Sequence, residues 1–188
     1  VYNGKTGNAK TIEALEKHGH FDTPETVENM LKEMVHASFI FLTLHQPAQR
    51  RSQIKSEEVK EQNRFDNLIE AIQLFKARQY RPVIIAMELA KAYALEEINE
   101  VLDAVLRLQI RNFFIGERKN NTVETFFPNL ARDIKSKQLP VDVILKQIEG
   151  KMLKDEDVAV ALKSKVFKRN EMKIYSRKFM LMRTMEKF

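Results

Sequence analysis

Cysteine and tryptophan are absent from this chain, and glycine and proline number only five each among 188 residues. Without thiols there is no disulfide framework and no thiolate nucleophile or ligand, which agrees with a reducing compartment. Scarce glycine and proline leave few turn signals, and a fold of many short strands needs one at every hairpin. Long apolar runs are missing too. The most apolar stretch, residues 37–44, is far below the ~20 residues that span a bilayer, and it lies well inside the chain with no signal-peptide layout. A cytoplasmic protein with no membrane contact is expected. No period of about 20–50 residues recurs, which argues against a solenoid.

What the chain does have is helical periodicity, with 44% apolar and 31% charged residues, ordinary proportions for a globular protein. A clear first helix begins at Pro24. Thr23 can cap it, and Glu25 and Glu28 suit the positive end of its dipole. Val27, Met30, Leu31, Met34, Phe41 and Leu42 keep the 3.6-residue period. Val35, Phe39, Ile40 and Leu44 widen the face, so burial on more than one side is expected. A strand over 39–44 is the competing reading, and Pro47 closes the segment.

A second helix is expected over about 56–79, capped by Ser56, with Phe65, Leu68, Ile69, Ile72 and Phe75 on one stripe. A core helix opens at Pro82. A fourth, over about 95–115, places Glu96, Glu97, Glu100 and Asp103 early and Arg107 and Arg111 late, and Gly116 can terminate it. The fifth turns Val123, Phe126, Phe127, Leu130 and Ile134 inward, with Pro128 either kinking it or resetting its start. Pro140 opens a sixth (Val143, Ile144, Ile148), and Asp155 can cap a short seventh (Val158, Ala161, Leu162). The eighth, from Asn170, carries Met172, Tyr175, Phe179 and Met182 on one stripe and Leu181, Met185 and Phe188 beside it. It ends without a stop signal, and the chain starts at Val1 rather than Met, so a piece of a longer protein is expected. The fold class is all-α, an irregular bundle of about seven to eight helices. Residues 1–22 form an irregular lead-in in which 11–17 can be helical; 23–80 and 81–188 read as two helical subdomains.

Motifs for chemistry are thin. Gly4-Lys5-Thr6 matches the last three residues of a P-loop, but the glycine required five residues before Gly4 has no place, and Gly7-Asn8 discourages a helix start. His18 and His20 lack metal-ligand partners at any recognised spacing. His36 and His45 are nine residues apart, opposite one another at ~100° per residue. The Glu57-Glu58 and Glu96-Glu97 pairs fall in first helical turns, where the dipole accounts for them. No catalytic, cofactor-binding or metal-ligating residue is assigned, and no small-molecule substrate is evident.

Charge is more informative. The net charge is +6; residues 1–145 carry 20 basic and 20 acidic side chains, residues 146–188 carry 12 and 6. Lys163, Lys165, Lys168, Arg169, Lys173, Arg177 and Lys178 are the candidate nucleic-acid contacts, interleaved with Phe167, Tyr175 and Phe179. A solvated helical face accounts for the same residues, and both readings stand.

From Tyr80 onward the order of segments has a recognisable pattern. An apolar helix opening with proline (Arg81-Pro82-Val83-Ile84-Ile85-Ala86-Met87) precedes a long amphipathic helix. That helix runs into Ile110-Arg111-Asn112-Phe113-Phe114-Ile115-Gly116. Phe126-Phe127-Pro128-Asn129-Leu130-Ala131-Arg132-Asp133-Ile134 follows, then Asp155-Glu156-Asp157 through Ala161-Leu162, and finally Met182-Arg183-Thr184-Met185-Glu186. This resembles the helical region of the GmrSD-type restriction proteins, modification-dependent defence proteins of bacteria and archaea. The resemblance implies a parent with a nucleotide-hydrolysing domain of the ParB-like nuclease fold before this region and a His-containing nuclease domain after it. It implies NTP and a divalent metal as the parent's cofactors, and the parent's other domains and DNA as partners. Neither the Asp-Gly-Gln-Gln-Arg motif of the first domain nor the histidine motif of the second occurs in this chain, so no catalytic residue is carried over.

Overall fold

The computed structural model describes residues 17, 22–46, 59–119 and 123–164. Among these residues there are seven α-helices, one π-helical segment and no strand, which gives the all-α fold expected. Helix α1 (Pro24–His45) starts where Thr23 predicts. The Thr23 hydroxyl accepts the Thr26 N–H at 3.2 Å, and the Thr26 hydroxyl accepts the Thr23 N–H at 3.1 Å, so two orphan donors are satisfied reciprocally. The strand alternative for 39–44 is overturned, since these residues continue the helix.

Helix α2 (Val59–Leu74) ends sooner than expected, and α3 (Arg81–Ala90) carries Pro82 in its first turn. Helix α4 (Leu95–Leu108) has no side-chain oxygen at Ala94 to cap it; the Glu97 carboxylate instead accepts the Ala94 N–H at 2.7 Å. Its expected Asp103–Arg107 pair forms at 3.2 Å. Helices α5 (Phe126–Lys137), α6 (Val141–Glu149) and α7 (Asp155–Ser164) complete the described chain. Pro128 lies in the first turn of α5, where its missing N–H breaks no bond.

Second neighbours in sequence pack side by side. Helix α3 lies between α1 and α5, and α4 lies between α2 and α6. The buried cluster between these two rows is continuous from Ile40 to Ile148 and draws on Tyr80, Val83 and Ile84 as much as on Phe65 and Ile69. The core therefore runs without a break across position 80, where the sequence suggested a subdomain boundary. Helix α4 is its axis, with Ile98, Val101, Leu102, Val105 and Leu108 all buried. Asn99 on α4 is buried as well and donates to the Glu61 carbonyl at 2.9 Å, fixing the register of α4 against α2.

Three expectations are corrected. Helix α1 buries only Ile40 and Leu44. Leu31, Met34, Phe41 and Leu42, expected inward, are exposed, together with Val35 and Phe39. At ~100° per residue most of them lie on the side opposite Ile40 and Leu44, so the helix has the second apolar face that its sequence announces, but no described residue covers it. Second, the expected helix over 95–115 is not α-helical throughout, because Gln109–Ile115 is π-helical. Third, α7 buries no residue, and Leu162 points to solvent.

Candidate functional site

The wider turn of the π-helix has a visible cause at its end. The Gly116 N–H bonds to the Arg111 carbonyl, five residues back, at 3.0 Å, and the Arg118 N–H to the Asn112 carbonyl at 2.9 Å. Such segments recur where a helix must present side chains out of its ordinary register. Here they are Arg111 and Asn112. Asn112, 1% exposed, donates to the Lys151 carbonyl at 2.6 Å and accepts the Leu153 N–H at 2.7 Å. Arg111 forks onto the Leu153 carbonyl through Nε (3.0 Å) and Nη2 (2.6 Å), and pairs with the Asp155 carboxylate at the start of α7. Gly116 completes the joint for want of space. Its φ is right-handed, but a Cβ there would lie 2.2 Å from Leu153 Cδ1. The segment from Arg111 to Gly116 thus clamps the connection between α6 and α7, and Phe114 stacks edge-on against Phe75 at 5.6 Å to tie the clamp to α2.

The clamp fixes the root of α7. Lys163, on α7, is exposed. Lys165, Lys168, Arg169, Lys173, Arg177 and Lys178 lie outside the described residues, as do the expected eighth helix, the lead-in with Gly4-Lys5-Thr6, His18, His20, Ser56, Pro47 and the Glu57-Glu58 pair. Closer to the clamp, Lys146 pairs with Asp142 at 3.7 Å and the Lys151 ammonium sits 5.5 Å above the Phe126 ring.

The C-terminal end of α1 is held by side chains. Gln73 donates to the Leu44 carbonyl at 3.0 Å and to that of His45 at 3.3 Å. The His45 ring stacks on Phe41, and the Arg81 guanidinium lies 3.3 Å from its Nδ1 and 5.1 Å from the Phe41 ring centre. Tyr80, wholly buried beside Arg81, has its pKa raised by desolvation, which the charge of Arg81 opposes. Arg81 approaches its hydroxyl as a donor, outside good hydrogen-bond geometry. Tyr80 and Arg81 are buried, whereas Phe41, His45 and His36 are exposed.

A polar cleft of about 450 Å³ lies between the α3–α4 and α5–α6 connections, lined by Tyr93, Glu97, Gln138 and Asp142 among others. The Tyr93 hydroxyl donates to the Leu139 carbonyl at 2.7 Å; burial and then the Glu97 charge raise its pKa. No histidine or lysine lines the cleft to pair with these acids in proton transfer. Among the described residues no three His, Asp or Glu side chains converge to hold a metal ion, and no helix is long and apolar enough to cross a membrane. No protein-family model matches the chain, and no curated protein and no solved structure matches it.

The structure thus offers two features for interaction, the clamped α7 with its exposed Lys163 and an apolar face on α1 that no described residue covers. The clamp residues were legible only as a sequence pattern, because their partners sit about 40 positions away.

Proposed function

We propose that the chain is a non-catalytic helical module of a larger GmrSD-like restriction protein, where it links the nucleotide-hydrolysing and nuclease parts and touches DNA through its basic segment. The observation that carries this reading is the joint. The stretch Ile110 to Gly116, one of those on which the family resemblance rests, is the π-helical clamp that holds the root of α7 through Arg111 and Asn112. A segment whose cationic excess is to meet a phosphate backbone needs a fixed origin on a rigid body, and a clamp seated on the most deeply buried helix supplies one.

Phosphate contacts carry no base information, so binding should be weak, salt-dependent and indifferent to sequence. The test is fluorescence anisotropy of labelled duplex across a salt series. Replacing Lys168, Arg169 and Lys173 with Glu should abolish binding at low salt, whereas reversing Arg50 and Arg51 should change it little; each lost contact lowers the log–log salt slope by ~0.9. Loss of binding in the Arg50/Arg51 variant alone, or none in the wild type, defeats the proposal. The second reading, a helical protein–protein interaction scaffold with no nucleic-acid role, is favoured by the uncovered apolar face of α1.

A further inference from the structure

We infer that the outer face of α1 is the interface of a two-fold dimer, in which two copies of this chain lay their α1 helices side by side and antiparallel. Leu31, Met34, Val35 and Phe39 are each at least half exposed (52%, 58%, 56% and 63%), and Phe41 and Leu42 are open at 46% and 41%. At ~200 Å² for an open side chain of this size, the six leave roughly 600 Å² uncovered on one copy. That is at the upper end of what a monomer shows to water. Two copies bring roughly 1,200 Å² together, the size at which specific interfaces become stable.

The order of residues on this face selects a second α1 and its direction. Glu28, Val35 and Leu42 recur every seven residues, as do Leu31, Ser38 and His45, and together they form the seam of a coiled coil. Read backwards, the series Glu28, Leu31, Val35, Ser38, Leu42, His45 pairs with itself about a point between His36 and Ala37. An antiparallel pair centred there sets Leu31 by Leu42, Val35 by Ser38 and Glu28 by His45, each layer formed twice, as a two-fold requires. Parallel pairing in register would instead oppose Glu28 to Glu28 and His45 to His45. The flanks agree. At ~100° per residue Met34 and Phe41 lie on one side of the seam, Lys32 and Phe39 on the other, so Met34 meets Phe41 of the second copy and Phe39 meets its Lys32 stem. Ser38, the polar residue at the centre, suits closure. Its hydroxyl already donates to the Val35 carbonyl at 2.7 Å, so burial strands no donor. A groove of about 430 Å³ runs along Glu28, Leu31, Lys32, Val35, His36 and Phe39. Its first, second, third and fourth residues outline the hole into which Leu42 of the second copy fits as a knob. Glu28 holds Lys32 through Oε1 at 2.6 Å on the open surface, an interaction of little worth that leaves Oε2 for His45. The apolar layers carry the interface.

The dimer is independent of DNA contact and is tested without DNA. Sedimentation velocity of the whole chain should report twice the mass of one copy. Val35→Asp, at an exposed position, buries two unpaired charges only in the dimer. It should weaken association about 100-fold or more while leaving the helical circular dichroism unchanged. The cysteine-free chain also allows the register to be read. Leu31→Cys protein and Leu42→Cys protein are mixed and bridged with a short bismaleimide. The mixture should cross-link at least about tenfold faster than either protein alone, since like positions lie ~16 Å apart along the seam and unlike ones side by side. A protein that stays monomeric at every concentration, a dimer that survives Val35→Asp, or like positions bridging as fast as unlike ones overturns the proposal. A monomer in which Leu31→Cys reacts slowly with maleimide assigns the face to a segment of the same chain, and overturns it as well.

Discussion

Helices α1 and α5 occupy equivalent positions, one on each flank of the short helix α3, and they face outward in opposite ways. Helix α5 buries Phe127, Leu130, Ala131 and Ile134 and shows solvent Asn129, Arg132, Lys135 and Ser136. Helix α1 buries Ile40 and Leu44 and shows solvent Leu31, Met34, Val35 and Phe39. Both inner faces are seated on the same core, and Lys135 of α5 reaches Glu33 of α1 as an ion pair. Apolar content therefore does not measure burial, because burial depends on whether a partner exists for the face that the periodicity creates. One flank of the molecule is finished and the other awaits a cover.

The largest test of that comparison concerns the inner faces, which should behave alike. Phe127→Ala should cost ~3–5 kcal/mol and Leu44→Ala ~2–5 kcal/mol in urea unfolding. If Leu44→Ala cost under ~1 kcal/mol, α1 would be loosely attached on both sides and the contrast with α5 would lose its meaning. Next comes the clamp that lies beyond either flank. Asn112→Ala strands the Lys151 carbonyl and the Leu153 N–H, at about 1–3 kcal/mol, and should speed amide exchange at Leu153 before that of the α4 core. Unchanged protection at Leu153 would show that Arg111 alone holds the joint.

A smaller effect concerns alkaline pH. Burial raises the Tyr80 pKa above its ordinary 10.0, so above pH 10 the unfolded chain releases a proton that the folded chain retains. Stability contributed by this neutral hydroxyl is complete below pH 10 and declines above it. Tyr80→Phe should flatten the decline and, since the hydroxyl makes no well-formed hydrogen bond, change neutral-pH stability by less than ~1 kcal/mol. An equally steep alkaline loss in the variant would point to another group. The smallest effect belongs to Arg107, half exposed between Asp103 at 3.2 Å and Glu149 at 3.5 Å. Arg107→Ala should shift stability by no more than ~0.5 kcal/mol, and less in high salt.

Periodicity and end signals made most of the helices legible. Thr23-Pro24 opens α1, Pro82 opens α3, the acids of 96–103 open α4, and Ile144 and Ile148 mark the inner face of α6. Three features were hidden for distinct physical reasons. The π-segment has no local signature, since no proline or glycine interrupts Gln109–Ile115; its geometry answers to Lys151 and Leu153, far along the chain. Side-by-side packing of second neighbours requires no repeated sequence, only helices of compatible faces, so the absence of a period gave no hint of it. The outer face of α1 was visible as apolar, but exposure is a property of what lies next to a helix and not of the helix. Of the candidate nucleic-acid contacts only Lys163 falls within the described residues, and it is exposed.

The clamp has a mechanical side. A pull on the chain beyond Ser164 reaches α7 first and then its root, where the Arg111 fork and the Asn112 pair are loaded together rather than one after another. Bonds sharing a load in parallel yield at a higher force than the same bonds peeled in series. Behind them stands α4, the helix with the largest share of the core, so load taken by the clamp passes into the buried centre of the fold.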